Sequence, residues 1–130
     1  MPHVQTFTIQ GWLPGYNEYL KAKGAVRGHE RYNDLRKSTM ELVALYARQG
    51  RVVPCPYPVV VSIAWVEPNA KRDLDNIQAG VKEILDALRA IGVLRNDGQR
   101  DVQGIVHTVA VNRKAPAIHL TLTQCGEPTS

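Results

Sequence analysis

The chain has 130 residues, 44% of them hydrophobic, with 16 Lys and Arg against 12 Asp and Glu, a formal charge of +4 and a pI near 9.3. That length suits one domain over residues 1–130 with a single core, and the lack of repeats or low-complexity tracts argues against a solenoid or a disordered chain. The cationic balance favours a polyanionic partner, Cys55 and Cys125 stand too far apart and alone to make a disulfide framework or a zinc site, and no stretch nears the roughly 18 apolar residues of a membrane span, so a cytoplasmic protein without membrane contact or organic cofactor is expected.

Val4 to Gln10 alternates in polarity and predicts a first strand, stopped by Gly11 and Pro14-Gly15. Tyr16 to Tyr32 contains Gly24 and Gly28 and lacks a clean apolar period, which predicts a long loop leading into a helix. From Lys21 to Lys37 six cations stand against Glu30 and Asp34, with Tyr16, Tyr19 and Tyr32 at or near this stretch. Cations can track phosphates and tyrosines can stack on unpaired bases; a solvated loop with half-buried tyrosines fits the same composition. About His29 to Gln49 predicts a core-covering helix through Leu35, Thr39, Leu42, Val43 and Tyr46. After Pro54, Pro56 and Pro58, the run Val59 to Val66 is β-branched and apolar almost throughout and predicts a central strand covered on both faces.

A second helix is predicted from about Asp75 to Ile91, with Ile77, Val81, Ile84, Leu85, Leu88 and Ile91 on one face and Asp75, Lys82 and Asp86 on nearly the opposite one, free for chemistry. Gly92 ends it. Asp101 to Asn112 and Ala117 to Gln124 read as a β-hairpin joined through Arg113-Lys114-Ala115-Pro116. The predicted order is β-α-β-α-β-β: a small single-domain α+β (α/β-like) fold with a mixed sheet and two main helices.

Between the central strand and the second helix lies Lys71-Arg72-Asp73-Leu74-Asp75-Asn76. Asp is a poor strand former and indifferent inside a helix, so two of them one residue apart serve either to cap or to coordinate. A cap and a first-turn acid contribute roughly 0.5–1 kcal/mol each, but capping needs only one acid. A hard cation such as Mg²⁺ takes a few carboxylates plus water and phosphate oxygens, which two or three Asp supply. Asp97, in the turn Arg95-Asn96-Asp97-Gly98, joins them if that turn folds beside the strand end, and Lys82 is the cation placed to neutralise charge on a reacting phosphate. Asp101 is the second choice for a third ligand. Glu67 reads as a strand-terminal surface acid, His107 as a partly buried sheet histidine, and Trp12 and Trp65 as core or dimer interface.

These residues resemble a known family. Lys71-Arg72-Asp73-Leu74-Asp75-Asn76, Lys82-Glu83-Ile84-Leu85-Asp86-Ala87-Leu88, Gly92-Val93-Leu94 and Asn96-Asp97-Gly98-Gln99 are similar to segments of the RusA-like Holliday-junction resolvases, as is Leu13-Pro14-Gly15-Tyr16-Asn17-Glu18-Tyr19 after the first strand. The resemblance runs from about Ile9 to Gln124. It implies a bacterial or phage-derived homodimeric endodeoxyribonuclease, dependent on Mg²⁺ with Mn²⁺ able to substitute. Such an enzyme resolves four-way DNA junctions by symmetric paired nicks, in recombination and repair. It further implies that Asp73, Asp75 and Asp97 are the essential metal-binding aspartates and that Lys82 is the essential lysine, the last through an insertion between Asn76 and Lys82 that leaves Ala79 as the ungapped counterpart. Lys71, Arg72, Asn76, Asn17, Lys21, Lys23, Arg27 and Arg31 become the expected DNA contacts. A twofold dimer matches the approximate twofold symmetry of an open junction. Two other readings remain: a non-catalytic branched-DNA-binding protein whose acids are structural, and a metal-dependent hydrolase of small phosphate esters, which would not need the basic segment.

Overall fold

The computed structural model describes residues 3–95, 98 and 100–125. In chain order the elements are β1 (Val4–Gln10), α1 (Tyr16–Lys23), α2 (Gly28–Gln49), β2 (Val59–Glu67), α3 (Leu74–Gln78), α4 (Val81–Ala90), β3 (Val102–Val111) and β4 (Ala117–Gln124). The fold is α+β with one mixed four-stranded sheet in the order β1-β4-β2-β3. β2 runs parallel to β3 and antiparallel to β4, which is in turn antiparallel to β1.

Alternation along β2 sets the core. Val59, Val61, Ile63 and Trp65 point to one face, each at most 1% exposed, and meet Ile84, Leu85 and Leu88 of α4 and Val43 and Ala47 of α2. Phe7 and Ile9 of β1 and Ile118, Leu120 and Leu122 of β4 extend the same layer.

Four expectations need correction. The segment after Gly15 is helical: Glu18 accepts the Gly15 N–H at 3.0 Å, ordering the first turn of α1, and Tyr19 is buried against α2 through its hydroxyl, which donates to Thr39 Oγ1 at 3.3 Å. The predicted helix over 75–91 is two helices, broken at Ala79-Gly80. A Cβ at Gly80 would lie 3.3 Å from the Trp65 ring and 3.4 Å from the Pro14 carbonyl oxygen, so the break sits where the chain packs tightly against the largest core side chain.

The predicted hairpin does not form, because β2 lies between β3 and β4. The most apolar strand takes the sheet centre with a partner on each edge, and residues 112–116 carry the chain over its end, a distance of roughly two strand spacings or 10 Å. Nor is β2 covered on both faces. The second face of the sheet is open, with cross-strand rows such as Thr8, His119, Ala64 and Thr108 or Thr6, Thr121, Ser62 and Val106. No Asp, Glu, Lys or Arg stands on it in any of the four strands. β3 is an edge strand, and Ile105, Val106, Val109 and Val111 along it are exposed.

Candidate metal and nucleic-acid site

The connection from β2 to α3 is fixed by Arg72. Its Nε and Nη2 donate to Glu67 Oε1 and Oε2 at 2.7 and 2.9 Å, and its Nη1 donates to Glu18 Oε1 at 2.6 Å and to the Leu13 carbonyl at 3.0 Å. The guanidinium lies 4.8 Å from the exposed Trp12 ring. Four of the roughly five N–H donors of an arginine are thus committed, and Arg72 is a structural clamp, not the phosphate contact expected of it. Glu67 is correspondingly 3% exposed and not a surface acid. Burial pushes the Glu18 carboxyl up, but the Gly15 N–H and the Arg72 guanidinium outweigh it and hold the group below its ordinary range.

Asn76 also departs from expectation. It is buried, and its Oδ1 accepts the Asn17 backbone N–H at 2.8 Å. Gly15 packs so closely on it that a Cβ there would fall 2.2 Å from the Asn76 carbonyl oxygen. Asn76 therefore docks α3 against the start of α1, which removes it from direct DNA contact; the Asn17 side chain stays exposed.

This frame leaves two carboxylates outside. Asp73 occupies the N-cap position of α3 with an extended backbone, yet its side chain makes no cap hydrogen bond, and it is exposed. Asp75 is exposed and its Oδ1 accepts only the neighbouring Asn76 N–H, at 3.0 Å, among the described residues. The other acids near the candidate site are committed. Glu67 is held by Arg72, Glu83 and Asp86 by Arg36 at 3.0 and 2.5 Å, and Asp101 by Arg95, whose guanidinium also lies 3.4 Å from the Tyr57 ring. Asp86 is therefore not free for chemistry, and Asp101, held below the ordinary carboxylate range by Arg95, is withdrawn as a third ligand. Asp97 lies outside the described residues. Among the described residues no cluster of three or more His, Cys, Asp or Glu forms a metal cage. Asp73 and Asp75 are nonetheless a donor pair of the kind that fits a hard cation retaining much of its water.

Lys82 is exposed in the first turn of α4. The helix break means that the wheel pairing Asp75 with Lys82 does not carry across. Lys82 instead helps wall a cavity of about 180 Å³ with Tyr16, Tyr19, Lys23, Tyr32 and Glu83. Sequence reading missed this convergence, although the interleaved tyrosines were its signal. Lys71, Lys21, Lys23, Arg27 and Arg31 are all exposed, as a phosphate contact requires; Arg27 stands 4.0 Å from Glu30, and Arg31 Nε donates to the Val26 carbonyl at 3.1 Å. His107 is half-buried, stacked on Trp65, and its Nδ1 accepts the indole N–H at 2.9 Å; burial holds its pKa below the ordinary value.

Among known proteins, no family model and no curated sequence matches this chain. No helix among the described residues is long and apolar enough to cross a membrane.

Proposed function

We propose that the protein is a divalent-metal-dependent, structure-selective endodeoxyribonuclease that resolves four-way DNA junctions by paired nicking, as its resemblance to the RusA-like resolvases implies. The observation that carries this reading is the contrast among the acids. Glu67, Glu83, Asp86 and Asp101 are each held by an arginine, whereas Asp73 and Asp75, one residue apart, are exposed and bound to no cation among the described residues. Asp73 and Asp75, with Asp97 as the resemblance implies, would hold Mg²⁺ or Mn²⁺, which would supply Lewis acidity to a phosphodiester.

The chain's own groups do the rest. The Arg72 clamp and the Asn76 dock hold the two aspartates in place, and the Lys82 ammonium offsets charge that grows on the phosphate in the transition state. Exposed Lys21, Lys23, Arg27, Arg31 and Lys71 anchor the backbone of the DNA without reading sequence. Paired nicks need two sites, and the charge-free open face of the sheet supports association with a second copy of the chain, since single-sided sheets normally present polar and charged side chains to water. The same reading places the protein in the cytoplasm of a bacterium or of a phage-infected cell.

The test is incubation with a synthetic four-way junction and Mg²⁺ or Mn²⁺. Symmetric paired nicks are expected, and Asp75→Asn should keep junction binding while losing cleavage. An absence of nicks at every value from about pH 6 to about pH 9 would leave the branched-DNA-binding reading in its place.

A further inference from the structure

Of the chain's two tryptophans, Trp65 is fully buried and Trp12 is 48% exposed. The backbone on either side of Trp12 is anchored. The Gly11 N–H donates to the Pro116 carbonyl at 2.9 Å, and Leu13 is buried, with its carbonyl accepting from Arg72 Nη1 at 3.0 Å. The indole therefore stands out from a fixed frame. The Arg72 guanidinium lies over the ring, 4.8 Å from its centroid, and is itself held by Glu67 and Glu18. A ring supported on one face in this way has little freedom left to lose when a partner lies on the other. Beside it is a cavity of about 220 Å³ walled by Trp12, Pro68, Asn69, Lys71 and the Arg72–Glu67 pair, smaller than the roughly 300–1,000 Å³ of clefts for drug-sized ligands and suited to one planar ring system. A lone exposed aromatic is ordinary on a protein surface, but this one has a cation and the candidate site as neighbours. Lys71 is exposed and pairs with no carboxylate among the described residues, and Asp73 follows Arg72 directly in the chain.

We propose that Trp12 stacks on a base face left uncovered at a DNA branch point, with Lys71 on an adjoining phosphate, and that this contact distinguishes a junction from plain duplex. The inference rests on the DNA-acting reading above and gives its structure selectivity a residue. Phosphate contacts recur along any duplex and carry no preference for a branch. Inside a duplex each base is covered on both faces by its neighbours, so the indole finds nothing to lie on. Where strands exchange, stacking is interrupted and a base face opens. Every base has a π-face, so the indole selects for that interruption and not for sequence. Charge agrees with this partner: Arg72 neutralises Glu67, which leaves Lys71 as the uncompensated charge in the cavity wall.

The test is binding, without divalent metal, to a four-way junction and to a linear duplex with the same ends, read by anisotropy and by tryptophan fluorescence, alongside junction nicking with metal. Trp12→Ala should weaken junction binding about tenfold and duplex binding by less than about twofold, and Trp12→Phe should stay within about threefold of wild type on both. Because Trp65 is fully buried, acrylamide reaches Trp12 alone, so the junction should shield wild-type fluorescence from acrylamide and the duplex should not. Should Trp12→Ala fail to fold for want of its contact with Arg72, the wild-type fluorescence decides. Equal losses on junction and duplex, a silent Trp12→Ala, or equal shielding by the two DNAs overturns the proposal. A Trp12→Ala protein that runs as a smaller species than wild type on a sizing column also overturns it, by placing the indole against a second copy of the chain. Paired nicking with a silent Trp12→Ala removes this inference and leaves the nuclease reading standing; a Trp12-dependent junction preference without nicking does the reverse.

Discussion

Arg72 grips Glu67 through two parallel hydrogen bonds of 2.7 and 2.9 Å, joining the last residue of β2 to the residue that precedes Asp73. The pair is largely buried, and Glu18 on α1 completes it at 2.6 Å, so one guanidinium ties strand, connection and first helix together. Removing one member of such a pair strands the other's charge. Arg72→Ala should therefore lose about 3 kcal/mol in urea denaturation, and Arg72→Lys should recover little of it because an ammonium cannot bridge both carboxylate oxygens in the plane of the fork. A loss under about 0.5 kcal/mol would mean that the clamp is a surface contact only.

Asp73 sits at an N-cap position without making the cap hydrogen bond. A functioning Asp cap is worth about 1 kcal/mol against Ala, so Asp73→Ala should change stability by less than about 0.5 kcal/mol while abolishing metal-dependent nicking. A stability loss of a full cap with nicking intact would make the residue structural. Calorimetry and the junction assay on the same preparation separate the two.

How much of this was legible depended on whether the deciding partner was near in sequence. The strand Val59–Val66, the helix ending at Gly50 and the acidic character of residues 71–76 all follow from local pattern. The break at Ala79-Gly80 is not legible in the apolar period, since Ile77, Val81, Ile84 and Leu88 keep it across the break; Gly80 there packs against Trp65 and the Pro14 carbonyl, both from earlier in the chain. The same holds for β3 and β4, whose spacing suits a hairpin until β2 competes for both. The polar partners were hardest: Glu67 lies only five residues from Arg72, but Glu18 and Leu13, which complete its set, and Asn17, which engages Asn76, lie more than fifty residues away.

His107 gives the fold an acid sensitivity. Its Nδ1 accepts the Trp65 indole N–H, and burial holds its folded pKa below the unfolded value of 6.5. The neutral ring is the stabilising form, so its contribution is complete above pH 6.5 and is lost as pH falls through the folded pKa. Between about pH 7.5 and about pH 5.5 wild-type stability should fall more steeply than that of His107→Gln, whose amide oxygen can still accept from Trp65 but does not titrate. Glu18 and Asp101, held below the ordinary carboxylate range, stay charged through that window in both proteins. Parallel slopes would show that the His107 contact carries no proton linkage.

The division of cations into clamps and contacts has its own signature in salt. Each exposed side chain that neutralises a DNA phosphate releases about one counterion, so Lys21→Ala and Lys71→Ala should each lower the slope of log affinity against log salt by about one, with folding unchanged. Arg72 has its N–H donors on Glu67, Glu18 and Leu13, and should behave otherwise. Arg72→Met should destabilise the chain yet leave that slope where it was, measured on four-way junctions at a temperature where the variant is still folded. A drop of about one on removing Arg72 would return it to the DNA interface. An unchanged slope for Lys21 and Lys71 would move the phosphate path away from α1 and the β2–α3 connection.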